Sequence, residues 1–130
     1  QAEWKVYLDL QSKTKYDLSR GSWVGDYKDP NTFLDLFTSH NGNNRTGWSN
    51  ARYDALLSKA NQERDPGVRE KLLQEAETLL VRDEVPLLPI YIYRGQLFFD
   101  DNKWEGIHGN LIDEHPLSAI RRKGEPQAKR

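Results

Sequence analysis

The stretch Arg64–Tyr93, RDPGVREKLLQEAETLLVRDEVPLLPIYIY, holds both kinds of element from which the chain is built. Asp65 is placed to cap free amides, and Pro66 suits a first helical position, where its missing N–H costs nothing. Val68, Leu72, Leu73, Ala76, Leu79 and Leu80 then recur at helical spacing over about four turns. Glu84-Val85 ends that helix. Pro86 and Pro89 exclude a continuation, so Pro86–Tyr93 reads as a buried extended segment. On it Tyr91 and Tyr93 share one face, and Ile90 and Ile92 share the other. A long amphipathic helix feeding a strand, within the order of elements along the chain, predicts an α/β or α+β architecture, of which α/β is preferred.

Working upstream, Ser49-Asn50 caps a second helix whose buried stripe is Tyr53, Leu56, Leu57 and Ala60. Before it, His40–Gly47 (HNGNNRTG) is a polar loop. Asp29-Pro30 starts a short helix to Phe37. Tyr16–Val24 alternates ring, polar and apolar residues and predicts a strand. Trp4, Tyr7 and Leu8 fall at i, i+3, i+4 and predict a helix over Gln1–Gln11. Downstream, Arg94-Gly95 turns into a second short strand, Gln96–Phe99. Asp100–Pro116 is loop-like, Glu114–Ile120 is a short closing element, and the charged run from Arg121 to Arg130 is expected to be disordered. Three short strands are few to cover four helices. A piece of a larger sheet explains that imbalance better than a whole domain does.

Composition narrows the function. Of 130 residues, 19 are Lys or Arg and 20 are Asp or Glu, a net charge of −1. That balance disfavours a nucleic-acid partner, which would want a basic face. No apolar run is long enough to span a membrane, and no secretory leader is visible. There is no cysteine, so disulfides, thiolate metal sites and cysteine nucleophiles are all excluded. There is also no methionine, and the chain opens Gln1-Ala2-Glu3-Trp4; we expect a processed product or, by preference, a piece of a longer protein. His40, His108 and His115 lack ligand spacing, and no nucleophile elbow, zinc-protease or phosphate-loop pattern occurs. Neither metal, cofactor nor catalysis is expected.

The best candidate for ligand chemistry is Trp23-Val24-Gly25-Asp26-Tyr27. It presents a carboxylate between two aromatic residues after a glycine, which suits an ammonium group through a charge-assisted hydrogen bond. The plainer reading is that Asp26 caps a turn while Trp23 and Tyr27 are core. Arg20 lies three residues before Trp23, on the opposite strand face, and is either a ligand-facing cation or a surface ion-pair residue. Tyr91 and Tyr93 either line a groove or belong to an ordinary half-buried strand.

The chain resembles the C-terminal part of the family 5 solute-binding proteins of ABC importers, the oligopeptide- and dipeptide-binding proteins. The likeness rests on EWKVYLD (Glu3–Asp9), YDLSRGSWVGDYKDPNTFL (Tyr16–Leu34), GWSNARYDALL (Gly47–Leu57), EAETLLVRDEVPLLPIYIY (Glu75–Tyr93) and GNLIDEHPL (Gly109–Leu117), in that order. The resemblance implies a fragment of a two-lobed periplasmic-binding-protein type II fold. Residues 1–93 would belong to the C-terminal substrate-binding lobe, 94–122 would cross back to an N-terminal lobe absent from this chain, and 123–130 would be a disordered tail. It implies Asp26 as partner of a peptide's α-ammonium. Trp23, Tyr91 and Tyr93 would line side-chain pockets, with Tyr27 beside the acid. Arg20 would meet a short peptide's carboxylate, and Asn43 and Asn44 would approach the cleft.

Short peptides and a membrane permease are the implied partners. The implied location is periplasmic or extracytoplasmic, with lipid anchoring through an absent N-terminus left open. A half-site with exposed rings is expected to self-associate when isolated. Competing readings are a family member binding nickel chelates, haem, opines or another amine-bearing solute; a small protein-interaction module; and, least favoured, an enzyme.

Overall fold

The computed structural model describes residues 2–110 and 112–124. The chain divides into two compact units, Gln1–Ile90 and Tyr91–Arg130.

The first unit is helical. Helix α1 is Trp4–Ser12, capped by the Glu3 carboxylate, which accepts from the amides of Lys5 and Val6. Trp4 and Tyr7 stack at 5.3 Å, as their spacing requires, but no residue of α1 is buried. Helix α2 is Asn31–Leu34 and tightens into a 3₁₀ turn, Asp35–Phe37. Helix α3 is Ala51–Gln62, with the Asn50 side chain accepting from Arg52 and Tyr53 at 2.9 and 3.1 Å. Helix α4 is Pro66–Thr78, with Asp65 accepting from Val68 at 2.9 Å. Both caps are those expected from sequence.

Helix α4 does not end in α geometry. It widens into a π turn over Leu79–Asp83, closed by Glu84 N–H donating to the Leu79 carbonyl at 3.0 Å. Val85 then adopts φ 49°, a left-handed conformation that costs a β-branched residue about 1–2 kcal/mol.

The core of this unit is Leu34, Tyr53, Leu56, Leu57, Ala60, Leu73, Ala76, Leu79 and Leu80, bordered by Phe37, Trp48, Leu72, Val81 and Leu87. It therefore sits where α3 and α4 face each other and α2 closes one side. Tyr53 is its polar anchor. The ring is fully buried, meets Trp48 edge-on at 5.0 Å, and donates its hydroxyl to the Leu34 carbonyl at 2.6 Å. Burial pushes the Tyr53 phenol well above its ordinary range, so it stays a donor.

The extended segments depart from expectation. Tyr16–Val24, Pro86–Tyr93 and Gln96–Phe99 form no strand: among the described residues no β-ladder includes them. A backbone can be extended without being a strand; the ladder needs a neighbour. Pro86–Tyr93 is also not buried as expected: Ile92 is 93% exposed. The only described sheet is two residues wide, β1 (Trp104–Glu105) antiparallel to β2 (Arg121–Arg122). Arg121 and Arg122 thus belong to the closing element rather than to a disordered tail. Arg121 holds Glu105 at 2.6 Å, and Arg122 lies 5.7 Å over the Trp104 ring. Gly106 follows β1 at φ 88°, where a Cβ would fall 1.8 Å from the Ala119 carbonyl, so only glycine fits. Of the expected tail, residues 125–130 lie outside the described residues, as does Gln1 of the expected first helix.

Candidate functional site

The segment Trp23–Asp29 is stapled to α2 at both ends. Gly25 lies against α2 so closely that a Cβ would stand 3.1 Å from the Thr32 methyl and 3.2 Å from the Phe33 ring. The Asp26 backbone N–H donates to Thr32 Oγ1 at 3.0 Å. Asp29 accepts from the Asn31 amide at 2.9 Å, and the Asn31 side chain donates to the Tyr27 hydroxyl at 3.4 Å. Thr32 and Asn31 are both buried, so these bonds are partly buried.

Two carboxylates sit on this segment, and the structure separates their roles. Asp29 is committed. Arg69, from α4, forks onto it with Nη1 to Oδ2 at 2.8 Å and Nη2 to Oδ1 at 2.9 Å. The guanidinium holds the Asp29 carboxyl below its usual range, and burial opposes that only in part. Asp26 is uncommitted: among the described residues no hydrogen bond or ion pair engages its carboxylate, which is exposed. Trp23 and Tyr27 flank it, also exposed. The alternative in which both rings are core and Asp26 caps a turn is not what is seen. Asp29 caps, and the rings face outward.

The Asp29–Arg69 pair carries a stability prediction. Arg69→Met is expected to lower the unfolding free energy near neutral pH by about 1–2 kcal/mol, the range for a half-buried charged hydrogen-bond pair. Because the Asp29 pKa is depressed on folding, this contribution is full above the ordinary carboxylate pKa. It fades as pH falls through the lower, folded value. Urea melts of both proteins at pH 7 and at a pH well below the ordinary carboxylate value check it: the gap should close once Asp29 is protonated in the folded state as well.

The other expected site residues are placed as follows. Arg20 is exposed, and its carbonyl accepts from the Tyr7 hydroxyl, tying the segment to α1. Asn44 is a loop staple. Its Nδ2 donates to the carbonyls of Phe37, Thr38 and Trp48, and its Oδ1 accepts from Thr46 at both the amide and the hydroxyl. Asn43 is exposed at the loop surface, its amide held by Asn41 Oδ1 at 2.9 Å. In the second unit, Tyr91 and Tyr93 meet edge-on at 4.9 Å, with a 2.7 Å hydroxyl–hydroxyl bond, as two rings on one face should. Sequence reasoning missed Arg69, Asn31 and Thr32. Arg69 lies 40 residues from Asp29, and no local pattern announces a pairing across that distance.

Among the described residues no group of three His, Asp or Glu is placed to hold a metal ion, and no helix is long and apolar enough to cross a membrane.

The segment thus presents one uncommitted acid between outward rings on a loop fixed to a helical core; the class of protein comes from comparison with known proteins. The chain superposes on a periplasmic oligopeptide-binding protein of Borrelia burgdorferi with a TM-score of 0.72 and 33% identity, over 93% of this chain and 24% of that one. It superposes on the murein tripeptide-binding protein MppA of Escherichia coli with a TM-score of 0.66 and 40% identity, over 70% of this chain and 18% of that one.

Among curated relatives, the dipeptide-binding protein DppE of Bacillus subtilis is 40% identical over 118 residues, 91% of this chain and 20% of the relative. A probable deoxycholate-binding periplasmic protein of Escherichia coli, YgiS, is 43% identical over 89 residues, 68% of this chain and 16% of the relative. No family profile matches. The chain is homologous to a C-terminal part of the oligopeptide- and dipeptide-binding proteins of solute-binding family 5, and it has their periplasmic-binding-protein fold in that part. It spans about a fifth of the length of the curated relatives it matches.

Proposed function

We propose that this chain supplies the ammonium-binding half of a peptide site in an extracytoplasmic solute-binding protein that serves an ABC importer. The observation that carries the reading is the division of labour between two neighbouring acids. Asp29 is neutralised by Arg69, while Asp26 stands exposed between Trp23 and Tyr27 with no partner among the described residues. A free α-ammonium would satisfy Asp26 with a charge-assisted bond and fix the peptide's direction. Trp23 and Tyr27 would cover the first side chain, Arg20 would meet a carboxylate, and Asn43 rather than the committed Asn44 would reach the ligand. Tyr91 and Tyr93, in the second unit, would line side-chain pockets.

In this reading a facing lobe, supplied by the rest of the protein, closes over the peptide, and the closed form is delivered to the permease. No bond is made or broken. The protein is placed in the periplasm or its extracytoplasmic equivalent. Family 5 relatives are substrate-binding proteins, which fits a binding role without catalysis.

Calorimetric titration of the complete protein with trialanine and with N-acetyl-trialanine tests this. Binding of the free form about ten- to hundredfold tighter than the acetylated form supports Asp26 as the receptor. Equal binding of both removes it from that role. A second reading also has an observation behind it: one relative is named for deoxycholate, which has no ammonium. If neither peptide binds and deoxycholate does, the cargo is not a peptide.

A further inference from the structure

The Asp29–Arg69 ion pair joins two parts of the first unit that are remote in sequence: the ligand loop and helix α4. Resting on the peptide-binding reading above, we infer that Arg69 is a positioning residue for the amino-end receptor, acting through Asp29 and Asn31 to fix where Tyr27 and Asp26 stand.

The chain of contacts is continuous. Arg69 forks onto both oxygens of Asp29, so the carboxylate cannot rotate without breaking a bond. One of those oxygens also receives the Asn31 amide, which sets the first turn of α2. The buried Asn31 side chain donates to the Tyr27 hydroxyl, and the next residue, Thr32, receives the Asp26 amide. The geometry at Asp26 is thus linked to a helix, α4, that contributes no residue to the Trp23–Tyr27 segment. The arrangement also keeps charge where it is needed. With Asp29 neutralised, Asp26 is the carboxylate on this loop left to attract a cation. A second free acid three residues away would offer a competing site.

Asn31 sharpens the point. Its Oδ1 is buried and has no hydrogen-bond partner in the described structure. The residue nonetheless joins the two sides of the link: its backbone N–H meets the Asp29 carboxylate and its Nδ2 meets the Tyr27 hydroxyl.

The test uses the complete protein, with trialanine and N-acetyl-trialanine as probes. Arg69→Met and Asp29→Asn are each expected to cut affinity for the free-amino peptide about tenfold and to leave that for the acetylated peptide unchanged. The double variant is expected to lose no more than either single one, since both break the same link. Asp29→Asn retains an oxygen for the Asn31 amide, so the fold survives even if Arg69→Met is poorly folded; circular dichroism confirms that. Arg69→Lys, which keeps the charge but not the fork, should recover only part of the affinity.

If both single variants melt earlier yet keep the full preference for the free-amino peptide, Arg69 is merely structural and the inference is overturned. If the unaltered protein shows no preference between the two probes, it is the peptide-binding reading that fails.

Discussion

Replacing Leu57 with alanine is expected to lower the unfolding free energy of the first unit by about 2–5 kcal/mol. Leu57 is 1% exposed and lies at the centre of the cluster that joins α3 to α4. Truncation removes the transfer free energy of the lost atoms and leaves a cavity. The surrounding side chains are anchored on two different helices and can fill it only in part. Domains of this size are stable by roughly 5–15 kcal/mol, so the loss is a large share of the total.

The effect should reach the ligand loop, because α2 is tied to this core by Leu34 and by the Tyr53 hydroxyl on the Leu34 carbonyl. Urea denaturation followed by circular dichroism measures it. Val68→Ala is the control: Val68 belongs to the same sequence stripe but is half exposed, so its loss should stay near 0.5 kcal/mol or below. A Leu57→Ala penalty no larger than that of Val68→Ala would mean the helices are not held together by this cluster.

The helices were legible because their signals are local. A cap, a proline at the first position and a stripe at i, i+3, i+4 all lie within one element, and Asn50, Asp65, Tyr53 and Leu57 take the places that such signals imply. Val68 shows where the stripe runs past the core: periodicity marks a face, not how far a neighbour extends along it. The extended segments were harder. Alternation at Tyr16–Val24 and the apolar run at Pro86–Tyr93 describe a backbone prepared for a sheet, but pairing depends on residues outside the segment. Here no described residue provides it.

The site divides in the same way. Asp26 and its flanking rings could be singled out from residue types in one short stretch. That Asp29, three residues on, is the committed acid could not be seen without Arg69, which arrives from α4. Asn44 shows a structural role that residue type alone did not announce. A polar loop residue suggests a ligand contact, but its amide is occupied in closing its own loop on five neighbouring atoms.

Asp26→Asn in the complete protein is expected to weaken binding of a free-amino peptide by about 1.5–3 kcal/mol, roughly ten- to hundredfold. The substitution is chosen for what it keeps. Asparagine has the same shape, and the backbone N–H that donates to Thr32 is untouched, so the loop stays in place while the charge is removed. N-acetyl-trialanine, which has no ammonium, should bind the variant and the unaltered protein alike.

The size of the effect is itself informative. In the chain as described, Asp26 is exposed, and an ion pair at an exposed site contributes only about 0–1 kcal/mol. A loss of 1.5 kcal/mol or more therefore requires that the acid be covered once the peptide is bound, by the ligand itself and by a surface this chain does not supply. Salt separates the cases. A covered pair keeps most of its strength when ionic strength is raised from about 0.01 to 0.15 M, whereas an open one is screened as the Debye length shrinks from roughly 30 to 8 Å. A large, salt-insensitive loss would make Asp26 one wall of an enclosed cleft. A small, salt-sensitive one would leave it a surface charge, with the ammonium held elsewhere.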